Sequence, residues 1–180
     1  MELKKGRPTD TSGREDREFR VYDCLDSLKI EYLRVDHGVA KTMEDCRAID
    51  AVLGAEMCKN LFLCNRQKTQ FYLLIMPADK PFKTKELSSQ IGSARLSFAD
   101  SDKMLEYLDI NPGAVSALGL MNDSDNCVSF LVDEDLLKNE YIGCHPCVNT
   151  SSLRLKTDDL MKVFLPHTKH SATVVRLIGE

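Results

Sequence analysis

The apolar residues of this chain recur with two different periods, and these periods predict its helices and strands. From Arg17 to Leu28 the apolar side chains are three or four residues apart, which is the spacing of an amphipathic helix. A second helix is predicted to begin at Thr42, where Asp45 approximates the partner of a capping box, and to end at Gly54. Three more helices are predicted at 83–91, 101–108 and 157–164, the last one capped by Thr157.

Continuous apolar runs between these helices predict the strands. Cys58 to Cys64 and Gln70 to Met76 are separated by five polar residues, which is the pattern of a β-hairpin, and we expect both to be central strands. Shorter strands are predicted at 32–35, 127–132, 141–144, 152–155 and 172–178.

Helices and strands follow each other irregularly, without internal repeats or a regular βαβ order. The predicted fold class is therefore α/β (α+β): a single domain with a mixed, mostly antiparallel central sheet flanked by helices. A length of 180 residues suits one domain. Residues 1–13 are polar and rich in Gly, Pro, Thr and Ser, so we expect a flexible arm there and the folded domain at 14–180.

The net charge of -4 argues against a protein that coats nucleic acids nonspecifically, because that mode of binding needs many lysines and arginines. The seven cysteines are an odd number, and the first residues lack the apolar stretch of a secretory signal, so we expect reduced thiols and a cytoplasmic location. No apolar run is long enough to cross a bilayer, and no membrane partner is expected. Five cysteines lie in apolar contexts and are interpreted as packing residues: Cys24, Cys46, Cys58, Cys64 and Cys127.

Three segments place polar groups beside apolar, strand-like residues, where burial is costly for groups without a role. They are Lys59-Asn60 before the run Leu61-Phe62-Leu63, the stretch from Pro112 to Leu120, and Gly143-Cys144-His145-Pro146-Cys147-Val148-Asn149-Thr150. In content, order and spacing these segments resemble the YbaK/ProX family, the free-standing relatives of the editing domain inserted in bacterial-type prolyl-tRNA synthetases. The similarity extends over most of residues 17 to 180.

Lys59 is the residue to which the resemblance assigns catalysis. In these proteins the matching lysine is implicated in deacylation, and it is expected to hold the 3'-terminal adenosine phosphate or the ester region as a compact point charge. From the sequence alone, a purely structural role for Lys59 is as well supported as a catalytic one. Asn60 matches the neighbouring polar position of the family, although the two-residue period of a strand turns it to the opposite face, where it could brace a loop.

The loop after Pro112 matches a family segment whose main-chain amides line the pocket for the aminoacyl group. The resemblance therefore implies a substrate-binding role for Gly113, Ala114, Val115 and Ser116. Ala117 departs from the family, which usually has proline at this position. Without the resemblance, an ordinary Pro-Gly turn that leads into a strand is the simpler interpretation.

The resemblance also implies that His145, Pro146, Asn149 and Thr150 shape the pocket. His145 could bind the amino acid or a positioned water molecule, and general-base action is open to it because imidazole titrates near neutral pH. A histidine before a proline at a strand end is nevertheless more often a hydrogen-bonded structural residue.

Taken together, the resemblance implies a trans-editing deacylase that hydrolyses mischarged tRNA(Pro), most similar to the alanyl-tRNA(Pro) deacylases. A synthetase pocket shaped for proline cannot strongly reject a smaller amino acid, so a second site removes the error. No metal and no cofactor are implied. The expected partners are the tRNA(Pro) acceptor end and prolyl-tRNA synthetase. A basic rim could meet the acceptor stem or be an ordinary solvated face; it consists of Lys80, Lys83, Lys85 and Arg95.

Two other classes of function stay open. The domain could bind aminoacyl-tRNA or a synthetase without hydrolysing anything, which the altered Ala117 favours and Lys59 disfavours. Cys144 and Cys147 have the C-x-x-C spacing of thioredoxin-like redox sites and of half a zinc site. A zinc site would need a second pair at ligand spacing, and a redox cysteine would need a helix N-terminus, whereas a turn and a strand are predicted after Cys147.

Overall fold

In the computed structural model, which describes residues 1–179, short helices alternate irregularly with strands. The strands are β1 (Leu3–Lys5), β2 (Tyr32–Asp36), β3 (Lys59–Asn65), β4 (Phe71–Met76), β5 (Leu96–Phe98), β6 (Val128–Asp133), β7 (Tyr141–Cys144), β8 (Ser151–Lys156) and β9 (Ala172–Val175). The helices are α1 (Asp16–Ser27), α2 (Met43–Leu53), α3 (Thr84–Ile91), α4 (Ser101–Leu108), α5 (Thr157–Asp159) and α6 (Leu165–His167). A π-helical turn, Leu160–Phe164, joins α5 to α6, and two 3-10 helices span Ala117–Asn122 and Leu136–Lys138.

The strands form two sheets. The first has the order β1-β2-β8-β7 and is antiparallel throughout. The second has the order β5-β3-β4-β6-β9, in which the β3 pairings are antiparallel and β4, β6 and β9 run parallel. The predicted fold class, a mixed α/β domain, is confirmed. The division of its strands between two sheets, instead of one central sheet, is a feature that the sequence did not predict.

The second sheet is buried on both faces. Phe62 and Leu73 belong to the larger hydrophobic core, which also receives Tyr22 of α1, whereas Leu63 and Leu74 belong to a smaller core on the opposite face. Adjacent residues of one strand point to opposite faces of the sheet, so a continuous apolar run is what a doubly covered strand requires. This explains why β3 and β4 lack the apolar and polar alternation of a half-exposed strand.

The two sheets meet at a close main-chain contact between Met57 and Gly143. The Gly143 amide donates to the Glu56 carbonyl at 3.1 Å, and the Cys58 amide donates to the Gly143 carbonyl at 3.2 Å. A Cβ atom at Gly143 would lie 2.7 Å from the Glu56 carbonyl oxygen, which is too close for any other residue without displacement. Gly143 therefore allows β7 to approach the segment that leads into β3.

The helix ends follow the local chemistry of the sequence. The Thr42 hydroxyl accepts from the Asp45 amide at 3.1 Å, and Asp45 accepts from the Thr42 amide at 3.0 Å, which completes the predicted capping box. Gly54 ends α2 with a left-handed φ of 72°. Thr157 is not the predicted cap, because β8 runs directly into α5 and Lys156 takes the capping position. Within residues 1–179 the buried Thr157 hydroxyl has no hydrogen-bond partner.

The amino-terminal segment differs from the loose arm expected for residues 1–13. Leu3 pairs with Val35, and the Gly6 amide donates to the Tyr32 carbonyl at 3.1 Å. The Arg34 side chain donates to the Gly6 carbonyl at 3.1 Å. The strand β1 is exposed along its whole length, so it carries no apolar alternation from which the pairing could be predicted. Over residues 1–179, the helices are too short or too polar to span a membrane.

Candidate active site

A cavity of about 240 Å³ lies between α2, the segment that leads into β3 and the corner that joins β7 to β8. Three of the predicted site residues line it together: Gly113, His145 and Asn149. Apolar side chains, among them Ile49 and Met57, form much of the remaining wall. A larger groove of about 530 Å³, also lined by Met57, contains none of the predicted site residues.

His145 is held by the corner between β7 and β8. Its Nδ1 lies 2.9 Å from the Ser151 carbonyl oxygen, and a carbonyl only accepts, so Nδ1 carries the proton in the neutral ring. Nε2 is then a hydrogen-bond acceptor, and it has no partner among residues 1–179. Burial lowers the pKa of His145 below its usual value. The ring is therefore neutral at pH 7 and offers a free lone pair at the cavity.

His37 was not predicted as a site residue, and it lies on the same wall. Its Nδ1 donates to the Gly38 carbonyl at 2.7 Å, which leaves Nε2 to accept from the Ser152 hydroxyl at 2.8 Å. The His37 amide also donates to the Thr150 carbonyl at 3.0 Å. Thr150, which is exposed, thus contributes through its main chain and does not line the cavity.

A partly buried network of charged side chains lies next to the two histidines. Asp36 accepts from Arg14 at 2.9 Å and from Arg34, and the Ser151 hydroxyl donates to Asp36 at 3.2 Å. Burial alone would raise the pKa of Asp36, but the hydrogen bonds from both arginines outweigh it and lower that pKa to about 2. Asp36 therefore stays ionised and fixes Ser151, whose carbonyl binds His145.

The loop after Pro112 contributes one residue to the cavity wall. Gly113 has a φ of 91°, a conformation that favours glycine, and Asn149 Nδ2 lies 3.6 Å from the position of a Cβ atom there. Ala114 and Val115 pack against the larger core. The Ser116 hydroxyl accepts from the Leu118 amide at 3.2 Å and so caps the following 3-10 helix.

Pro146 is buried and does not line the cavity either. Of the residues predicted to bind the substrate, Gly113, His145 and Asn149 thus surround one space. Four other loop residues, like Pro146, do not line that space: Ala114, Val115, Ser116 and Thr150.

The structure does not place Lys59 in this cavity. Its Nζ donates to the Lys80 carbonyl at 2.7 Å, and its side chain lines an open depression with Leu61, Phe82 and Phe98. The two sites are nevertheless adjacent along the chain, because Met57, two residues earlier, lines the cavity. An extended chain advances about 3.3 Å per residue, which puts the Cα atoms of Met57 and Lys59 about 7 Å apart.

Asn60 points to the opposite face of β3, as the period of a strand requires. Its Nδ2 donates to the Cys58 carbonyl at 2.9 Å, and within residues 1–179 its buried Oδ1 has no hydrogen-bond partner. Asn60 is therefore directed into the core beside Cys58 and does not line the cavity.

The expected basic rim is interrupted at Lys80. Its ammonium binds the fully buried Asp133 at 2.9 Å and Asp135 at 2.7 Å, so it is part of an internal ion network. The other three rim residues are exposed: Lys83, Lys85 and Arg95. Lys83 and Lys85 line the same depression as Lys59.

The thiols of the C-x-x-C pair are buried and reduced. Burial raises the pKa of Cys147 to about 12 and raises that of Cys144 well above its usual value. A redox or zinc-binding cysteine must ionise easily, so these surroundings argue against both functions. Over residues 1–179, no three His, Cys, Asp or Glu side chains are grouped as metal ligands.

Comparisons with known proteins identify the family of this chain. The sequence model of the aminoacyl-tRNA editing domain matches residues 37–163, so the chain belongs to the aminoacyl-tRNA editing domain family. It is 35% identical over 148 residues to the prolyl-tRNA editing protein ProX of Acetoanaerobium sticklandii, covering 82% of this chain and 90% of that protein. The predicted resemblance is therefore confirmed.

A second relative is the prolyl-tRNA synthetase associated domain-containing protein 1 of Danio rerio, 29% identical over 162 residues, with 89% of this chain and 87% of that protein covered. Among solved structures, one described as a candidate trans-editing enzyme for prolyl tRNA synthetase superposes with a TM-score of 0.68 over 92% of this chain and 99% of the other. At 20% identity, that similarity concerns the fold alone.

Proposed function

We propose that this protein is a trans-editing deacylase that cleaves the ester bond between a wrongly attached small amino acid and tRNA(Pro), with alanyl-tRNA(Pro) as its first substrate. The observation that carries this proposal is the cavity that contains the open Nε2 of His145 beside the Gly113 turn. The names of the relatives supply the nucleic acid, prolyl-tRNA.

The size of the cavity supports a small aminoacyl group. Its volume of about 240 Å³ lies below the range of roughly 300–1,000 Å³ that is usual for drug-sized ligands. Apolar walls at Val39 and Ile49 suit a methyl side chain. A second site of restricted volume is the physical means by which editing removes an amino acid smaller than the correct one.

The chemistry of the proposed step needs a water molecule, a base and a donor for the developing oxyanion. His145 Nε2 accepts a proton from water, since the ring is neutral and Nδ1 is fixed by Ser151. The main-chain amide at Gly113 and the side-chain amide of Asn149 are the donors near the carbonyl. The 2'-hydroxyl of the terminal ribose can help to place the water.

Lys59 takes a binding role in this proposal. The depression that it lines also contains Lys83, Lys85 and two aromatic rings, Phe82 and Phe98, whose centroids lie 6.4 Å apart. Lysines and exposed aromatic rings together suit single-stranded nucleic acid, which binds through phosphates and stacked bases. We place the unpaired 3' end of tRNA(Pro) here, with its aminoacyl group directed past Met57 into the cavity.

The test is a panel of alanyl-, cysteinyl- and prolyl-tRNA(Pro), each incubated with purified protein while loss of the ester is followed. We expect fast hydrolysis of alanyl-tRNA(Pro), slower hydrolysis of cysteinyl-tRNA(Pro), and prolyl-tRNA(Pro) left intact. If none is hydrolysed while all bind, the chain is a non-catalytic aminoacyl-tRNA binding module. Activity unchanged by Cys144→Ser together with Cys147→Ser would exclude a thiol mechanism.

A cytoplasmic site of action and an association with prolyl-tRNA synthetase belong to the same proposal. Both follow from its substrate, because a mischarged tRNA must be intercepted between the synthetase and the ribosome. Co-sedimentation of the purified protein with prolyl-tRNA synthetase, with and without tRNA(Pro), measures the second of these directly.

A further inference from the structure

The cavity contains a charged side chain that the proposed hydrolysis step does not use. Asp50 lies in the last half of α2 and lines the wall next to Ile49. Its Oδ1 accepts from the Met57 amide at a long distance of 3.4 Å, and its Oδ2 has no hydrogen-bond partner within residues 1–179. No lysine or arginine of residues 1–179 lines this cavity or pairs with Asp50.

Asp50 is half-buried in this cavity, and desolvation raises its pKa. A cation placed beside the carboxylate in the cavity stabilises its charged form. The other polar side chains that line the cavity carry no fixed positive charge: His37, His145, Asn149 and Ser152. The ligand is therefore the natural source of the cation.

An aminoacyl ester carries such a cation. Its α-ammonium nitrogen is separated from the ester carbonyl carbon by a single carbon atom, so a group that binds the ammonium also fixes the carbonyl. Because Asp50 and His145 line the same cavity, an ammonium held by the first residue leaves the carbonyl within the same small space as the second.

We propose that Asp50 binds the α-ammonium of the aminoacyl group, so that the protein selects esters with a free amine and rejects N-acylated ones. This inference rests on the deacylase function proposed above. Asp50 forms and breaks no bond; it positions the substrate and sets its specificity. Peptidyl-tRNA and other N-blocked esters are excluded, because an amide nitrogen carries no charge to satisfy the carboxylate.

The experiment compares alanyl-tRNA(Pro) with N-acetylalanyl-tRNA(Pro) for three proteins: the wild type, Asp50→Asn and Glu44→Gln. Glu44 is the matched control, an exposed acidic residue in the first turn of the same helix. For the wild type and Glu44→Gln, acetylation should lower kcat/KM about tenfold or more. In Asp50→Asn, kcat/KM should fall about tenfold for the ester with a free amine and little for the acetylated ester, so that the preference for the free amine disappears.

Equal losses of Asp50→Asn on both substrates, or an unchanged preference, would overturn the assignment. A binding measurement separates this inference from the proposed function. The probes are 3'-deoxy-3'-(alanylamino)adenosine, which cannot be hydrolysed as an ester, and its N-acetyl derivative. If the wild type binds the free-amine probe more tightly than the acetylated probe, and Asp50→Asn loses this difference, the assignment of Asp50 is supported even if no ester is cleaved. Equal binding of both probes to the wild type rejects the assignment.

Discussion

The imidazole rings of His37 and His145 lie on the wall of one cavity with their centroids 6.4 Å apart and their planes inclined by 54°. Each ring donates from Nδ1 to a main-chain carbonyl, that of Gly38 or that of Ser151. Both rings therefore have the same neutral tautomer, with Nε2 as the acceptor. The Ser152 hydroxyl occupies Nε2 of His37, so the free lone pair belongs to His145.

Replacing His145 by Asn should lower kcat for alanyl-tRNA(Pro) by roughly 100-fold or more, since a positioned general base contributes about that factor. The pH profile is the sharper measurement. Burial lowers the pKa of His145, so the neutral base persists as the pH falls through the ordinary histidine value of about 6.5. The acidic limb of kcat/KM should therefore lie below about pH 6.5 in the wild type and be absent from His145→Asn.

The control for this prediction is His167→Asn, which changes an exposed histidine of α6 outside the cavity. It should keep both the rate and the acidic limb. An acidic limb that survives in His145→Asn would assign the titration to a group other than His145.

The Ser152 hydroxyl should affect stability and kcat by holding the His37 ring in place. Ser152→Ala leaves Nε2 of the half-buried His37 imidazole without its protein donor, which costs less than the roughly 1–3 kcal/mol of a fully buried acceptor. We expect lower thermal stability and lower kcat, because the freed ring can turn away from the cavity. In a His37→Phe background the same substitution should cost much less, and this difference is the quantity that a double-mutant cycle measures.

Ser129→Ala is the matched control for Ser152→Ala, because Ser129 is an exposed serine of β6. It should leave stability and kcat unchanged. Equal effects of Ser152→Ala in the wild-type and His37→Phe backgrounds would show that the hydroxyl acts independently of the ring.

The local part of the fold could be predicted and the pairing of its strands could not. Thr42 with Asp45 and the glycine at Gly54 set the ends of α2 through contacts within a few residues, which a sequence displays directly. The division into two sheets depends on β2 pairing with β8, whose residues are more than a hundred positions apart. Such pairing is decided by packing over the whole domain.

The candidate site was predictable in part for the same reason. Gly113, His145 and Asn149 stood out because polar or flexible residues interrupt apolar segments. His37 and Ser152 gave no such signal, since their partnership exists only in the β2 and β8 register that sets Asp36 opposite Ser151. The one visible hint was a His-Gly pair directly after a strand.

The position of Lys59 yields a prediction about the affinity for tRNA and its dependence on salt concentration. Lys59→Met keeps the aliphatic stem beside Leu61 but removes the charge, so the contact with a phosphate is lost. We expect kcat/KM to fall at least about tenfold, and the slope of log KM against log salt concentration to fall by about 0.7, the value for one phosphate on a single strand. Lys59→Arg should retain the salt slope.

Lys162→Met is the control, because Lys162 is exposed in the π-helical turn between α5 and α6 and pairs with Asp158. Lys162→Met should change neither kcat/KM nor the salt slope. A large loss of kcat in Lys59→Met with an unchanged salt slope would return Lys59 to the catalytic role that the resemblance assigns to it.

Asp36 should make the fold sensitive to acid. Its pKa is about 2 in the folded protein, because Arg14 and Arg34 donate to it, whereas an unfolded aspartate titrates near about 3.9. A group whose folded pKa is depressed stabilises the fold above its unfolded pKa and loses that contribution as the pH falls toward the folded value. The free energy of unfolding should therefore decrease between about pH 4 and pH 2.

Asp36→Asn tests this directly, since the amide cannot titrate. At pH 7 the variant should be less stable than the wild type, because the buried Arg34 loses its carboxylate partner and the half-buried Arg14 keeps only Glu18. Its stability should also depend less on pH between about 4 and 2. Urea unfolding at several pH values measures both effects. The same substitution releases the Ser151 hydroxyl, which donates to Asp36, and so loosens the carbonyl that holds His145. Hydrolysis at pH 7 should then fall even where the variant remains folded, whereas full activity would show that the corner holds His145 without the charge network.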